Sequence, residues 1–260
     1  MQRFWDSQFK FSAILPGFGD ALERMARDSA TVTEQFAFEK APYGPHPRQW
    51  VEWVSGTGPK DLLPVIIHGG YWRALEAENH RCMMPAFTGH GAAVGNIEYR
   101  LMPEVRLADL VADAQAGLHR LAERFPDTRF LLVGHSAGAH LALSAMTDSA
   151  LRARTAGVLA LSGVYDLAPV ALSFLQAELR LTPSEIDTFS LRPSTDRPPT
   201  VFVNGSAETQ EFLRGGALMA SSGPAQWQLL EGADHMSLIG TACAQADHLL
   251  SQLLTMDTHT

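Results

Sequence analysis

The residues most clearly suited to carry out a reaction are a serine and its two flanking glycines at residues 134–138 (GHSAG). An apolar run at residues 130–133 predicts a buried strand before them, and small apolar residues predict a helix from about 137 to 150. A serine on such a sharp strand-to-helix turn presents its hydroxyl above the sheet, over the positive end of the helix dipole. The pattern alone can arise by chance, but this context favours a function. We therefore predict that Ser136 is a nucleophile that attacks a carbonyl carbon.

A loop with two adjacent glycines, residues 68–72 (HGGYW), follows another predicted buried strand. A simple Gly-Gly turn is the alternative interpretation. Glycines also let a backbone approach a reacting carbonyl closely and direct N–H groups at its oxygen. We predict that the amides of Gly70 and Tyr71, together with that of Ala137, stabilise the oxyanion.

The same loop supplies two candidates for substrate contact. Trp72 is expected either to pack beside the loop or to form a wall of the substrate pocket. Arg73 is the nearest cation to the loop, and we predict it as a partner for a substrate carboxylate.

A general base must accept the proton of Ser136, and the sequence offers ten histidines. Chains with this type of serine turn place the acid and then the histidine after the serine. Among the late histidines, His248 falls in a predicted helix and His259 lies near the end of the sequence. His235 directly follows a predicted strand at residues 226–230, and we predict it as the base.

The carboxylate that orients this histidine should follow the preceding predicted strand, residues 201–203. Glu208 is the first carboxylate after that strand, and we predict it as the acid. Glu211 falls inside the next predicted helix, and Asp196 precedes the strand, at the wrong end of a parallel sheet. Asp234 adjoins the histidine but should point elsewhere in a tight loop. These three carboxylates stay as alternatives.

Apolar runs alternate with helical patterns, which is typical of a mostly parallel sheet flanked by helices. The predicted strands are residues 63–67, 92–99, 130–133, 158–161, 201–203 and 226–230, with a leading hairpin from 34–38 and 49–54. Residues 1–30 are expected to form a polar, partly helical lead-in. We predict a single α/β domain over residues 1–260, with a short lid insertion at 165–198. Ligands of such sheets bind beyond the carboxyl ends of the strands.

These motifs together resemble the arylformamidase (kynurenine formamidase) branch of the α/β-hydrolase and carboxylesterase superfamily. The matching stretches are residues 43–44 (YG) with 48–49 (RQ), 68–72 (HGGYW), 98–104 (EYRLMPE), 134–142 (GHSAGAHLA) and 162–167 (SGVYDL). The last stretch narrows the match to this branch, because the HGGYW and GHSAG motifs are shared with other carboxylesterases. The family's acid is commonly aspartate where this chain has Glu208, and the phenylalanine expected after the catalytic histidine is absent.

The resemblance implies an α/β-hydrolase fold and a serine hydrolase that cleaves N-formyl-kynurenine to kynurenine and formate, a step of tryptophan catabolism. An aniline nitrogen shares its lone pair with the ring and leaves readily, so an aryl formamide approaches an ester in reactivity. A carboxylesterase for small acyl esters is therefore the main alternative. A hydrolase fold retained as a binding protein is less consistent with an intact Ser136, Glu208 and His235.

Composition excludes several other classes. The net charge is −8 and no Lys/Arg run occurs, which argues against nucleic-acid binding. No apolar run approaches membrane-spanning length, and no metal-ligand motif or nucleotide fingerprint is present, so we expect no membrane, metal or cofactor. The first residues do not resemble a signal peptide and the two cysteines are isolated, which predicts free thiols and a cytoplasmic protein. The expected partner is a small-molecule substrate. The oligomeric state stays open, with a homodimer as one alternative.

Overall fold

The structure of this protein is a computed structural model that describes residues 1–257. Its centre is an eight-stranded sheet in the order β1-β2-β4-β3-β5-β6-β7-β8. The strands are β1 (Glu39–Pro42), β2 (Trp50–Ser55), β3 (Leu62–Ile67), β4 (Ala93–Ile97), β5 (Arg129–His135), β6 (Thr155–Leu161), β7 (Thr200–Gly205) and β8 (Ala225–Leu230). β2 pairs antiparallel with both of its neighbours, β1 and β4. All other neighbouring strands in this order, from β4 through β3 and β5 to β8, pair parallel.

Helices flank both faces of this sheet. They are α1 (Gln2–Phe9), α2 (Phe11–Ile14), α3 (Phe18–Gln35), α4 (Leu107–Arg124), α5 (Ala137–Ser144), α6 (Ser149–Ala153), α7 (Leu167–Ala171), α8 (Gln176–Leu179), α9 (Pro183–Phe189), α10 (Gln210–Met219), α11 (Ser237–Ala244) and α12 (Ala246–Asp257), with 3-10 turns at Ala77–His90 and Ala145–Thr147. No helix within residues 1–257 is both long and apolar enough to cross a membrane. The expected cytoplasmic location stays a prediction.

The central strands are buried on both faces, which explains their continuous apolar sequence. In β3, Leu63, Val65 and Ile67 belong to the core on one side of the sheet. Ile66, on the same strand, points into the core on the other side. The predicted sheet of mostly parallel strands covered by helices is confirmed, and each predicted central strand overlaps an observed one.

Two predicted boundaries are wrong. The first arm of the leading hairpin is Glu39–Pro42 and not residues 34–38, because α3 continues through Gln35 and buries Met25 and Val32 on one face. The helix predicted over 137–150 ends at Ser144. The next α-helix, α6, begins at Ser149. The Asp148 carboxylate caps it by accepting the amides of Ala150 and Leu151.

Cys82 and Cys243 are free and partly buried, in agreement with the expected free thiols. His259 lies outside the described residues.

Candidate active site

Ser136 lies at the turn between β5 and α5, as its motif predicts. Its φ of 55° and ψ of −119° are rarely adopted by a residue with a side chain. A Cβ at position 138 would lie 2.0 Å from the carbonyl oxygen of Ile67, so only glycine lets the helix approach β3 this closely. The Ser136 amide donates to the Leu161 carbonyl of β6 at 2.8 Å, which fixes the turn.

His235 lies in the loop after β8, and its ring contacts the serine. Its Nε2 is 3.1 Å from Ser136 Oγ, and both residues are almost fully buried. Its carbonyl oxygen is 3.1 Å from Nε2 of His135, which fastens the histidine loop to the residue before the serine. The structure therefore brings the predicted nucleophile and the predicted base together.

Glu208 lies in the loop after β7 and is connected to His235 through a third residue. Its Oε1 accepts the Gly205 amide at 3.0 Å. Its Oε2 is 3.6 Å from His235 Nδ1, which is beyond a normal hydrogen bond. The hydroxyl of Ser162 bridges the gap, because it forms a short hydrogen bond to Glu208 and lies 2.7 Å from His235 Nδ1. Motif analysis assigned no role to Ser162, although its place directly after β6 was the available signal.

The alternative carboxylates have other partners. Asp234 accepts the amides of Met236 and Ser237 and so caps α11. Glu211 pairs with Arg214 on the same helix. None of these contacts involves the His235 ring.

Two further acidic residues are also occupied elsewhere. Asp166 accepts the Ala168 amide and so caps the start of α7, and it pairs with Arg214. Asp196 lies 3.1 Å from Arg152, before β7. Glu208 is therefore the only one of the weighed carboxylates that connects to His235 within residues 1–257.

The HGGYW loop adopts a left-handed backbone where it faces the serine. Gly70 has a φ of 109°, and a Cβ there would lie 2.0 Å from the Ala74 carbonyl oxygen, so glycine is required. Within the described residues, the Gly70 and Tyr71 amides donate no hydrogen bond, and Ala137 is the first residue of α5, whose N–H has no intrahelical acceptor. All three are free to bind an oxygen, and Gly70 and Tyr71 line the same cavity as Ser136.

Neither Trp72 nor Arg73 is among the residues that line this cavity. Trp72 takes the first of its two expected places, packed beside the loop, and the predicted substrate contact of Arg73 is not supported. Trp72 has no exposed surface and packs edge-on against His140 at 5.1 Å. Arg73 pairs with Glu178 of α8 at 2.7 Å. Trp72 therefore belongs to the hydrophobic core, and Arg73 is held by an ion pair with α8.

The cavity beside Ser136 is small, about 60 Å³, and its wall is mainly apolar. The N-terminal helices close it with Phe11, Phe18, Leu22 and Met25. No residue of the 165–198 segment is among those that line it within the described chain, so the expected lid does not cover the serine here. That segment instead packs beside α4, where Arg106 pairs with Glu185.

Phe11 is the main contact that motif analysis missed. Its ring stacks on the His235 ring at 4.1 Å and on Tyr71 at 5.7 Å, and Phe212 contacts the histidine edge-on at 4.7 Å. The two phenylalanines keep water from the imidazole. The available signal was the density of phenylalanines in the first 18 residues, which is unusual for a polar lead-in.

Replacing Phe11 with alanine is expected to enlarge the cavity and loosen its acyl selectivity. The ratio of kcat/KM for p-nitrophenyl butyrate to that for the acetate should rise roughly tenfold, since a few methylenes of space determine which acyl group fits. Phe4→Ala is the matched control, because Phe4 lies on the same N-terminal segment with 55% of its surface exposed. An unchanged ratio in Phe11→Ala would show that this ring does not limit the acyl group.

Two buried histidines line the same cavity without adding positive charge. Burial, with a smaller effect of nearby His68, lowers the pKa of His80 to about 3. Burial and the neighbouring His235 likewise hold the pKa of His135 well below its ordinary value. Both rings are therefore neutral near pH 7.

A second, larger cavity of about 730 Å³ adjoins the first and shares Met25 and Met236 with it. Arg24, Asp20 and Asp28 of α3 also line it. Ser136 itself lines only the narrow apolar cavity, and the wide, partly charged one begins beyond the shared methionines. Residues 1–257 contain no group of three His, Cys, Asp or Glu side chains able to hold a metal ion.

Several known proteins are similar to this chain. A family model described as alpha/beta hydrolase fold matches residues 64–196. A kynurenine formamidase of Danio rerio is 24% identical over 200 residues, covering 74% of this chain and 66% of its own, just under two thirds. A kynurenine formamidase of Drosophila melanogaster is 24% identical over 267 residues, covering 91% and 87% of the two chains. The resemblance to the kynurenine formamidase branch is confirmed.

Solved structures show the same fold at lower identity. A putative thioesterase from Silicibacter sp. tm1040 superimposes with a TM-score of 0.84, at 22% identity and coverage of 95% of this chain and 97% of the other. The esterase LipW from Mycobacterium marinum superimposes with a TM-score of 0.69, at 16% identity and coverage of 95% and 90%.

Proposed function

Because the chain belongs to the alpha/beta hydrolase fold family, we propose that it is a serine hydrolase that cleaves an aryl formamide, N-formyl-kynurenine, to kynurenine and formate. The observation that carries the chemistry is the hydrogen-bonded series from Ser136 Oγ to His235, and from His235 through the Ser162 hydroxyl to the Glu208 carboxylate. The substrate class is supported by the relatives named kynurenine formamidase.

The proposed reaction proceeds through a formyl-enzyme. Ser136 Oγ attacks the formyl carbon while His235 Nε2 takes the hydroxyl proton. The Gly70, Tyr71 and Ala137 amides hold the oxyanion, and His235 then protonates the departing aniline nitrogen. Water, activated by the same imidazole, attacks the formyl ester, and formate leaves. The proton taken from Ser136 thus leaves on the amine, and the proton taken from water returns to Ser136 Oγ, so the imidazole is neutral again at the end of each half.

The two cavities support a small acyl group and a large leaving group. About 60 Å³ beside Ser136 has room for only a few non-hydrogen atoms, which suits a formyl group. The adjoining 730 Å³ would take the aromatic amine. Its wall carries both signs of charge, with Arg24 between Asp20 and Asp28 on successive turns of α3, as a zwitterionic amino acid requires.

A carboxylesterase for small acyl esters is the second candidate. The favouring observation is the mainly apolar wall beside Ser136, which accommodates an ester oxygen as well as an amide nitrogen. The fold shared with esterase LipW is compatible with it.

A substrate panel decides between the two candidates. We expect kcat/KM to be highest for N-formyl-kynurenine, with the N-acetyl analogue about 10- to 200-fold poorer, because one methyl group in a tight pocket has that effect. p-Nitrophenyl acetate and butyrate are the comparison esters. Turnover of the butyrate above all others, with none of the formamide, would replace the formamidase proposal with the esterase.

A further inference from the structure

We propose that Ser162 is a positioning residue through which Glu208 holds His235 in its reactive tautomer. This inference rests on the proposed serine hydrolase mechanism. It assigns a role to the first residue of the SGVYDL stretch, whose function the motif analysis left open.

The backbone holds Ser162 in a conformation that side-chain-bearing residues rarely adopt. Its φ is 49°, and its side chain is fully buried. The Ser162 amide donates to the Val203 carbonyl of β7 at 2.7 Å, and the preceding Leu161 accepts the Ser136 amide. The residue is therefore fixed between the strand of the nucleophile and the strand that leads to the acid. Such local strain at an active site indicates that the position of the side chain matters.

The hydrogen bonds around the hydroxyl have a defined direction. Ser162 has one proton to donate, and the Glu208 carboxylate can only accept while it is ionised. The serine oxygen must then accept from His235, so Nδ1 carries the proton at a distance of 2.7 Å. With Nδ1 protonated, Nε2 of the neutral ring is free to accept the proton of Ser136.

A direct bond between acid and base does not explain this geometry. Glu208 Oε2 remains 3.6 Å from Nδ1, and its other oxygen already accepts the Gly205 amide. The carboxylate therefore acts on the ring through its charge, and the serine hydroxyl provides the hydrogen bond that orients it. Glu208 has one methylene more than the aspartate common in related enzymes. The Ser162 hydroxyl fills the gap between its carboxylate and the His235 ring.

The experiment compares Ser162→Ala and Ser162→Gly with the wild type on p-nitrophenyl acetate. Both variants lack the hydroxyl, but glycine accepts a positive φ without strain. We expect kcat to fall about 10- to 100-fold in both, as for the loss of a hydrogen bond to an ionisable group, with KM changed less than about twofold. Ser144→Ala is the matched control, since Ser144 is buried on α5 and its hydroxyl has no partner in the described structure.

A spectroscopic measurement tests the tautomer without any turnover. In ¹⁵N-labelled wild type, we expect the His235 signals to show a protonated Nδ1 in the resting enzyme. In both Ser162 variants they should move toward a mixture of tautomers, because the Nδ1 proton has lost its acceptor. Ser144→Ala should leave them unchanged.

Three outcomes would overturn the proposal. The first is a wild-type kcat in both Ser162 variants. The second is full activity in Ser162→Gly alone, which would assign the lower kcat of Ser162→Ala to backbone strain. The third is a set of His235 signals that is unchanged in both variants. Failure of the proposed function would give a different result, because the wild type itself would then hydrolyse neither the formamide nor the ester. The tautomer measurement would still decide the role of Ser162 in that case.

Discussion

Replacing Ser136 with alanine is expected to lower kcat by at least ~10⁴ on every substrate that the wild type hydrolyses. The variant lacks the atom that forms the acyl-enzyme, and its remaining oxyanion donors and base cannot substitute for it because these groups act as a unit. The fold should persist, since alanine loses only a hydroxyl and occupies the same turn. Steady-state kinetics and thermal unfolding of the same samples check both statements.

Covalent labelling identifies the residue directly. A fluorophosphonate should add to Ser136 in the wild type, and the labelled peptide should contain residues 134–138. Ser144→Ala, on the same helix, should label as the wild type does. A Ser136→Ala enzyme with activity near the wild type, or a label on another serine, would remove the nucleophile from its proposed role.

Glu208→Gln is expected to have the second largest effect, a fall in kcat of about 10³- to 10⁴-fold with little change in KM. An amide at this position can donate to the Ser162 oxygen, which turns the serine proton toward His235 Nδ1. The ring would then carry its proton on Nε2, where it cannot accept from Ser136. The negative charge that stabilises the imidazolium is lost as well.

Three other carboxylate variants make this prediction specific. Glu211→Gln is the matched control, because it lies in the helix that follows Glu208 but pairs with Arg214. Asp234→Asn and Asp166→Asn remove carboxylates that cap helices. Greater damage from either aspartate variant than from Glu208→Gln would mean that the acid has been misassigned.

The local patterns of the sequence were sufficient for the framework of this site. The strands from β3 to β7 are apolar over most of their length because both faces are buried, so each could be recognised from its own residues. β8 is an edge strand and is largely exposed. Chain order and the rule that ligands bind at the carboxyl edge then placed Ser136, Glu208 and His235 at one end of the sheet. The glycines of the two loops were equally informative, because their need is steric and local.

Only the tertiary structure decided what surrounds these three residues. Ser162 lies between Glu208 and His235 because the ends of β6, β7 and β8 are neighbours in the sheet. The hydrophobic periodicity of the sequence does not indicate this contact. Phe11 covers the imidazole across more than two hundred residues of chain, by a contact that depends on how the first helices pack. Arg73 turns to Glu178 and away from the cavity for the same reason. The sequence by itself determined the elements and their order, since those follow from each segment's own residues. The hydrogen-bond partners and the wall of the cavity arose from packing between segments far apart in the chain.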